Sequence, residues 1–410
     1  MARICIVTGA HLCRNPRVVK EASALAEAGH DVTVLGPRLS PDLARQDSYL
    51  SAGAAWRHRY ALDITESAGL RRHLHRVRRR AGEEATARLG LNVPDALGYG
   101  VQATLAAARL EEADLTIGHQ EVGLWVVSEL LLEGRRVGAD FEDWYSRDLL
   151  PQDLRGRPVH LLRERERQLV QAGAHTTTTS HALALALAEA YRGPPPRVIY
   201  NAFPWSDRQD LDGQFADRTD ASRPSLHWVS QTLGAGRGLN VLFRALADVR
   251  TPVQVHLRGR PVPQAETSLR MAFPSDRGHT LTLHGLVPPD ELLSRIAEHD
   301  IGIAFEDTTP DSRNLTVTNK LLHYMLGGLA VVASETDGQR EIAEAAPDAV
   351  SLCDARGASA LATRLNHLLD SPLRLAEAQA AALASAYSQF SWERQVPTLL
   401  ESVDQGLALP

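Results

Sequence analysis

The sequence predicts an α/β protein with two doubly wound domains in tandem, and three observations carry that prediction. The length, 410 residues, exceeds one ordinary core and suits two cores of roughly 150–200 residues each. Short β-branched runs alternate with longer amphipathic segments, the rhythm of parallel strands joined by covering helices. That rhythm lapses from Phe203 to Pro224, a stretch rich in Asp, Arg and Gln, and then starts again.

In the first half, ARICIVTGA reads as a buried strand ending at Gly9. PRVVKEASALAEAGH follows as a helix with Pro16 in its first turn and Gly29 at its close, the punctuation helices favour. DVTVLGP is the next strand. DLTIG (114–118), RRVGAD (135–140), AHTTTTS (174–180) and RVIYN (197–201) supply further strands, with helices over 121–133 and up to Tyr191. After the lapse come LHWVSQ, VQVHLRG, HTLTLHG, DIGIAF, GLAVVAS and AVSLC. Helices from Gly238, around 264–273, from Pro288, from about Thr316 and from Gly338 separate these six strands, and a helical tail covers 357–405. The expected division is a first domain over 1–203, a linker over 204–224 and a second domain over 225–385.

Composition narrows the class. Hydrophobic residues make up 44% and charged residues 23%, the balance of a globular protein. A net charge of −6 gives no general reason to expect nucleic acid as a partner. The three cysteines, Cys5, Cys13 and Cys353, are too few and too scattered for a disulfide framework or a metal site. No run approaches the ~18 apolar residues that span a bilayer, and MARICIVTGAH reads as a strand rather than a signal peptide. A soluble, cytoplasmic protein is therefore expected. One charge run stands out, GLRRHLHRVRRRAGEEATARLG over 69–90. A solvated amphipathic helix accounts for it. Contact with an anionic membrane surface or acceptor is the less favoured alternative, because its apolar positions Leu70, Leu74 and Val77 are sparse.

Several chemistries lack a signal: no GxGxxG follows the first strand, and GxxxxGK[ST], HExxH, CxxC and GxSxG are absent. Ligands of doubly wound sheets bind at the carboxyl ends of the strands, where helix amino termini favour a diphosphate without help from metal. The first strand of the second domain runs into SQTLGAGRGLN. Glycines there let a backbone approach a ligand, and the planar fork of Arg237 suits a phosphate; a tight strand-to-helix loop is the plainer alternative. In DIGIAFEDTTPDSRNLTVTNKLLHYMLGGLAVVAS, Thr316–Asn319 open a helix and Lys320 falls in its first turn. A cation at a helix amino terminus is unfavourable by itself. A bound anion reverses that sign through charge-assisted hydrogen bonds, which marks Lys320 as a diphosphate ligand.

At these residues a resemblance appears. TNKLLHYMLGGLAVVAS resembles the pattern PNKxxEYMAxGxPVVAS of the retaining glycosyltransferases of family 4, which have the GT-B fold. NPRVVKEASALAEAGHDVTVL, ADLTIGHQEVG, GADFEDWYSRD, RVIYNAF, GAGRGLNVLFRAL and SWERQVPTLLESV resemble other family segments in the family's order. The likeness spans nearly the whole chain and is weakest over 40–115. It implies two Rossmann-like domains facing a central cleft, with 386–410 as a closing helix that returns to the first domain. It also implies a hexosyltransferase (EC 2.4) that moves a sugar from a GDP- or UDP-linked donor to a small polar metabolite or glycan, with neither metal nor other cofactor. Carried over, the catalytic residues are His119, which touches the donor sugar, and Arg237 and Lys320, which neutralise the diphosphate. Gly9, Gly236, Val317, Thr318, Asn319, His323 and Glu341 join the donor site, while His11, Arg14, Asn15 and Glu142 meet the acceptor.

The sequence also departs from the family. Leu315 and His323 stand where the family keeps Glu-x7-Glu, Ser230-Gln231-Thr232 replaces a basic residue, and Glu142 replaces the histidine of Asp-x-His-Glu. Two rival readings therefore stay open: a catalytically silent sugar-nucleotide-binding protein, and a nucleotide-sugar 2-epimerase on the same architecture.

Overall fold

The strands form where β-branched and aliphatic runs can be buried on both faces, as parallel sheets require. The computed structural model describes residues 1–65, 70–218, 220–234 and 238–409, and the chain divides into two compact units. The first comprises Met1–Ile199 with Val396–Pro410, and the second Tyr200–Gln395.

The first unit holds β1 (Arg3–Thr8), β2 (Asp31–Arg38), β3 (Arg57–Asp63), β4 (Leu115–His119), β5 (Val137–Phe141), β6 (His175–Thr178) and β7 (Arg197–Val198). They pair in parallel in the order β3-β2-β1-β4-β5-β6-β7. Ile4, Ile6, Val34, Ile117 and Val126 are all but inaccessible and centre its core. Helix Pro16–Glu27 starts where Asn15 caps it, Asn15 Oδ1 accepting from the Val18 amide at 3.4 Å, with Pro16 at its first position. The strand absent from the sequence reading is β3. It lies at the sheet edge, and only one of its seven residues is buried, so it lacks the apolar run that marks its neighbours. The basic run forms helix Leu70–Leu89, on which Arg72, Leu74, Arg76, Val77, Arg78 and Arg80 are exposed; Gly69 lies outside the described residues. Among the described residues no helix is long and apolar enough to cross a membrane.

The second unit holds β8 (Ser225–Leu233), β9 (Gln254–Pro261), β10 (Thr280–His284), β11 (Ile301–Ala304), β12 (Ala330–Ser334) and β13 (Val350–Cys353), parallel in the order β10-β9-β8-β11-β12-β13. Trp228, Ile303, Phe305, Val332 and Leu365 lie in one apolar cluster, and Val317, Leu321, Tyr324, Val331 and Ile342 in another. The segment read as a linker is held to this unit by charge instead of apolar burial. The amides of Asp217 and Arg218 donate to Glu298 Oε2 at 2.7 and 3.0 Å, and the buried Arg218 guanidinium pairs with Asp300. That is why apolar periodicity misses it.

The helix expected from about Thr316 is split. A short helix, Asp311–Leu315, precedes it, Thr316 and Thr318 are extended, and the main helix runs Asn319–Gly327. Asn314 Nδ2 donates to Asp337 Oδ2 at 2.6 Å, tying the short helix to Asp337–Ala345.

Candidate functional site

In each sheet the strand order reverses once, between β1 and β4 and between β8 and β11. Loops leaving such strands in opposite directions open a crevice at their carboxyl ends, the usual ligand position of doubly wound sheets.

In the second unit, Gly236 and Arg237 lie outside the described residues. Just after them, Gly238 initiates helix Leu239–Leu246 with φ +80°. A Cβ there would come within 2.5 Å of Phe305 Cβ, so only glycine lets the loop lie against the end of β11. Ser230 is half-buried and Gln231 and Thr232 are exposed. Beyond β11 comes Glu306, and across from it Lys320. Lys320 Nζ lies 2.6 Å from Glu306 Oε1 and 3.4 Å from the Phe305 carbonyl, with the Trp228 ring centroid 5.2 Å away. Both side chains are 9% exposed. This corrects the sequence argument: the anion that compensates the cation at the helix terminus is already present as Glu306. The residue read only as part of a polar loop, though a carboxylate immediately after a buried strand was a usable signal.

The other donor-side residues divide. Thr318 is the amino cap of Asn319–Gly327 without a side-chain capping bond, and its hydroxyl donates to Glu306 Oε1 at 3.4 Å. Asn319 is exposed beside Lys320. Val317 is buried in the core and offers the site only its backbone. His323 stacks on Phe203 with centroids 3.9 Å apart and planes 15° apart. The half-buried Glu341 hydrogen-bonds the Tyr200 phenol, whose pKa is raised by burial and then by that carboxylate. His323 and Glu341 thus both hold the segment that opens this unit.

In the first unit, Thr8 and His119 are register partners at the ends of β1 and β4. Gly9 packs close to the following helix, where an added Cβ would sit 3.0 Å from Val122 Cβ. His119 is completely buried. Its Nε2 lies 2.6 Å from Glu21 Oε2 and its Nδ1 3.2 Å from Glu142 Oε1. A ring can donate to two carboxylates only as an imidazolium. Burial opposes that charge, but Glu21 and Glu142, with Asp140 beyond, push the pKa up to about 10. The imidazole expected to touch a sugar is enclosed, and its nitrogens serve two carboxylates. Glu142 also takes the Asn15 Nδ2 hydrogen at 2.7 Å and remains partly exposed.

His11 is likewise interior. Its Nδ1 sits 2.5 Å from Asp47 Oδ2, and its Nε2 accepts from the Leu39 and Ser40 amides at 3.0 and 3.3 Å. The accepting Nε2 fixes the proton on Nδ1, so the ring clamps the loop after β1 to the loop after β2. Of the expected acceptor residues, Arg14 is exposed and Glu142 partly so, while His11 and Asn15 are buried.

Among the described residues, Glu21, His119 and Asp140 are the group with spacing suited to a metal, their ligand atoms lying within 4.8 Å of one another. The trio is closed by its own charges: His119 holds Glu21, and Arg17 Nε holds Asp140 at 2.7 Å. The buried guanidinium occupies the electrostatic role a cation would take.

A second buried cluster was not foreseen. His227 on β8, His256 on β9 and His284 on β10 meet His299, which precedes β11. His227 stacks on His299 at 4.6 Å, and His256 Nδ1 lies 2.9 Å from His284 Nε2. Arg258 and His284 share Asp217.

With this geometry, comparison with known proteins is informative. Residues 223–371 match the family model described as Glycosyl transferases group 1. No curated protein matches the chain. Among solved structures, the chain is similar to sucrose-phosphate synthase from Thermosynechococcus elongatus, with a TM-score of 0.71, 15% identity and 99% of each chain covered. A glycosyltransferase from Rickettsia africae gives a TM-score of 0.70 at 12% identity, covering 100% of this chain and 99% of that one. HepE from Anabaena, solved with UDP, gives 0.69 at 14% identity, covering 98% and 99%. Together with the two all-parallel sheets, these likenesses establish the GT-B fold.

Proposed function

We propose that the protein is a retaining glycosyltransferase of the family 4 type, taking a hexosyl group from a UDP- or GDP-linked sugar to a small polar metabolite or glycan in the cytoplasm. The observation that carries this reading is Lys320 in the first turn of helix Asn319–Gly327, beside the strand-order reversal and inside the segment that matches the group 1 model. UDP in the HepE structure supports a uridine donor.

In this mechanism the bond from the sugar's anomeric carbon to the diphosphate breaks, and the acceptor oxygen attacks the same face. Charge grows on the departing diphosphate, where Lys320, Arg237 and the amides at Val317–Asn319 stabilise it electrostatically. A diphosphate oxygen takes the acceptor's proton, and neither metal nor other cofactor enters the reaction. His323 and Glu341 lie toward the nucleotide, and Glu142 with Arg14 toward the acceptor.

Calorimetric titration with UDP-, GDP- and ADP-sugars tests the reading. Binding of at least one is expected, and binding of none overturns it. Leu315 and His323, in place of carboxylates, favour a second reading as a silent binder, which predicts binding without turnover across a broad acceptor panel. A 2-epimerase would alter the sugar with no acceptor present, which product analysis detects.

A further inference from the structure

The transfer just described makes no use of Glu306, yet this carboxylate occupies the centre of the cationic site. Its Oε1 lies 2.6 Å from Lys320 Nζ and accepts from Thr318 Oγ1 at 3.4 Å, and its Oε2 lies 3.8 Å from Arg313 Nε. Its backbone is fixed, the amide donating to Ser334 Oγ at 2.8 Å. An ammonium, a guanidinium and a hydroxyl converging at a helix amino terminus are the donors a phosphate takes. Here an internal carboxylate takes them. We propose that Glu306 is an internal counter-anion of the diphosphate site, holding Lys320 in the absence of donor and yielding its place when a diphosphate binds. The inference rests on the nucleotide-sugar reading.

The physical case is one of competition. A nearly buried ammonium left without an anion is strongly destabilising, so a site built to receive a diphosphate must keep its lysine paired while empty. Glu306 does this and keeps the side chain aimed into the site. The same pairing opposes ligand, because the diphosphate binds only the fraction of molecules in which the carboxylate has moved aside. Two anions cannot share one ammonium at full strength in a water-poor site. Removing the carboxylate's charge should therefore tighten binding, the opposite of what loss of a ligand-contacting residue does.

The test is the affinity of UDP and of inorganic pyrophosphate, each measured by calorimetry on the full chain. Glu306→Gln keeps the size of the side chain and an acceptor for Lys320 while removing the charge. Both ligands should bind it about tenfold more tightly than wild type, roughly 1.4 kcal/mol, whereas Lys320→Met should weaken both. Glu306→Asp, which keeps the charge but withdraws it by one methylene, should fall between Gln and wild type, and decides the matter should the Gln variant not fold. Unchanged or weaker affinity in these variants, with UDP binding intact in wild type, overturns the inference and leaves the nucleotide reading standing. Pyrophosphate following the expected order with no binding of any nucleotide removes the nucleotide reading alone. Failure of both ligands to bind any form removes both.

Discussion

Lys320 and Glu306 form a pair that neither residue can leave without cost. Lys320→Ala takes the nearest cation from a carboxylate that is 9% exposed, so it should lower stability by up to about 3–5 kcal/mol as well as weaken nucleotide binding. Lys320→Ala combined with Glu306→Ala should recover most of the stability but none of the binding, as urea unfolding and calorimetry would read. His119 makes a similar case in the first unit. His119→Leu leaves Glu21 and Glu142 without their shared cation and should cost about 3–5 kcal/mol. A sugar-contacting histidine would instead cut turnover with stability nearly unchanged, so paired measurements separate the roles. Gly238→Ala meets both a positive φ and the Phe305 side chain; a loss of at least about 1–3 kcal/mol is expected in denaturant melts, with weaker donor binding. Of these residues, Lys320 was legible in the sequence because its charge conflicts with the helix dipole. Its pairing with Glu306 was not, because a contact across fourteen positions depends on how the end of β11 and helix Asn319–Gly327 are packed.

At the scale of elements, the histidines on β8, β9 and β10 place a titratable cluster inside the second unit. Burial first, and then neighbouring positive charge, depresses them: His256 falls to about 4 with His284 beside it, and His227, near Arg258 and His256, is held well below its ordinary value. His299 is also lowered, by burial and then by His227. Unfolded histidines take up protons near pH 6.5 while the folded cluster does not. The unfolded state therefore gains protons as pH falls, and the folded state loses stability. The cluster's contribution is expected in full above about pH 6.5, declining as pH drops toward 4 by up to ~1.4 kcal/mol per pH unit for each histidine kept neutral. Denaturant melts between pH 7 and 5 on a Glu121→Gln background check this, because burial raises the Glu121 carboxyl to about 7 and its protonation acts in the opposite direction; a flat profile would contradict it. The elements themselves were readable where both faces are buried, as in LHWVSQ or DIGIAF. The polar edge strand β3 and the charge-anchored segment around Arg218 escaped, because their stability comes from pairing and ion pairs rather than from an apolar pattern.

The whole chain is organised as two units, and its last residues belong to the first. Ser402 Oγ lies 2.8 Å from His175 Nδ1 on β6, Arg197 on β7 donates to Gln405 Oε1 at 2.6 Å, and Leu399 and Val403 are buried. Deleting Val396–Pro410 should uncover His175 and these apolar side chains, lowering the melting temperature and solubility of the first unit. An unchanged melting profile in the truncated protein would show that this segment contributes nothing to it.

The sequence by itself determined the doubly wound α/β character of both units, the strand that precedes each functional loop, and Lys320 at a helix terminus. Those features are local: periodicity, helix punctuation and the sign of a charge against a dipole can be read within a few turns of chain. Only the tertiary structure decided that Lys320 is answered by Glu306, that His119 and His11 are enclosed by carboxylates and amides, and that histidines from three separate strands meet a fourth that precedes β11. Each of these depends on which distant segments are packed together, and burial at close range is what gives such a pairing its energy.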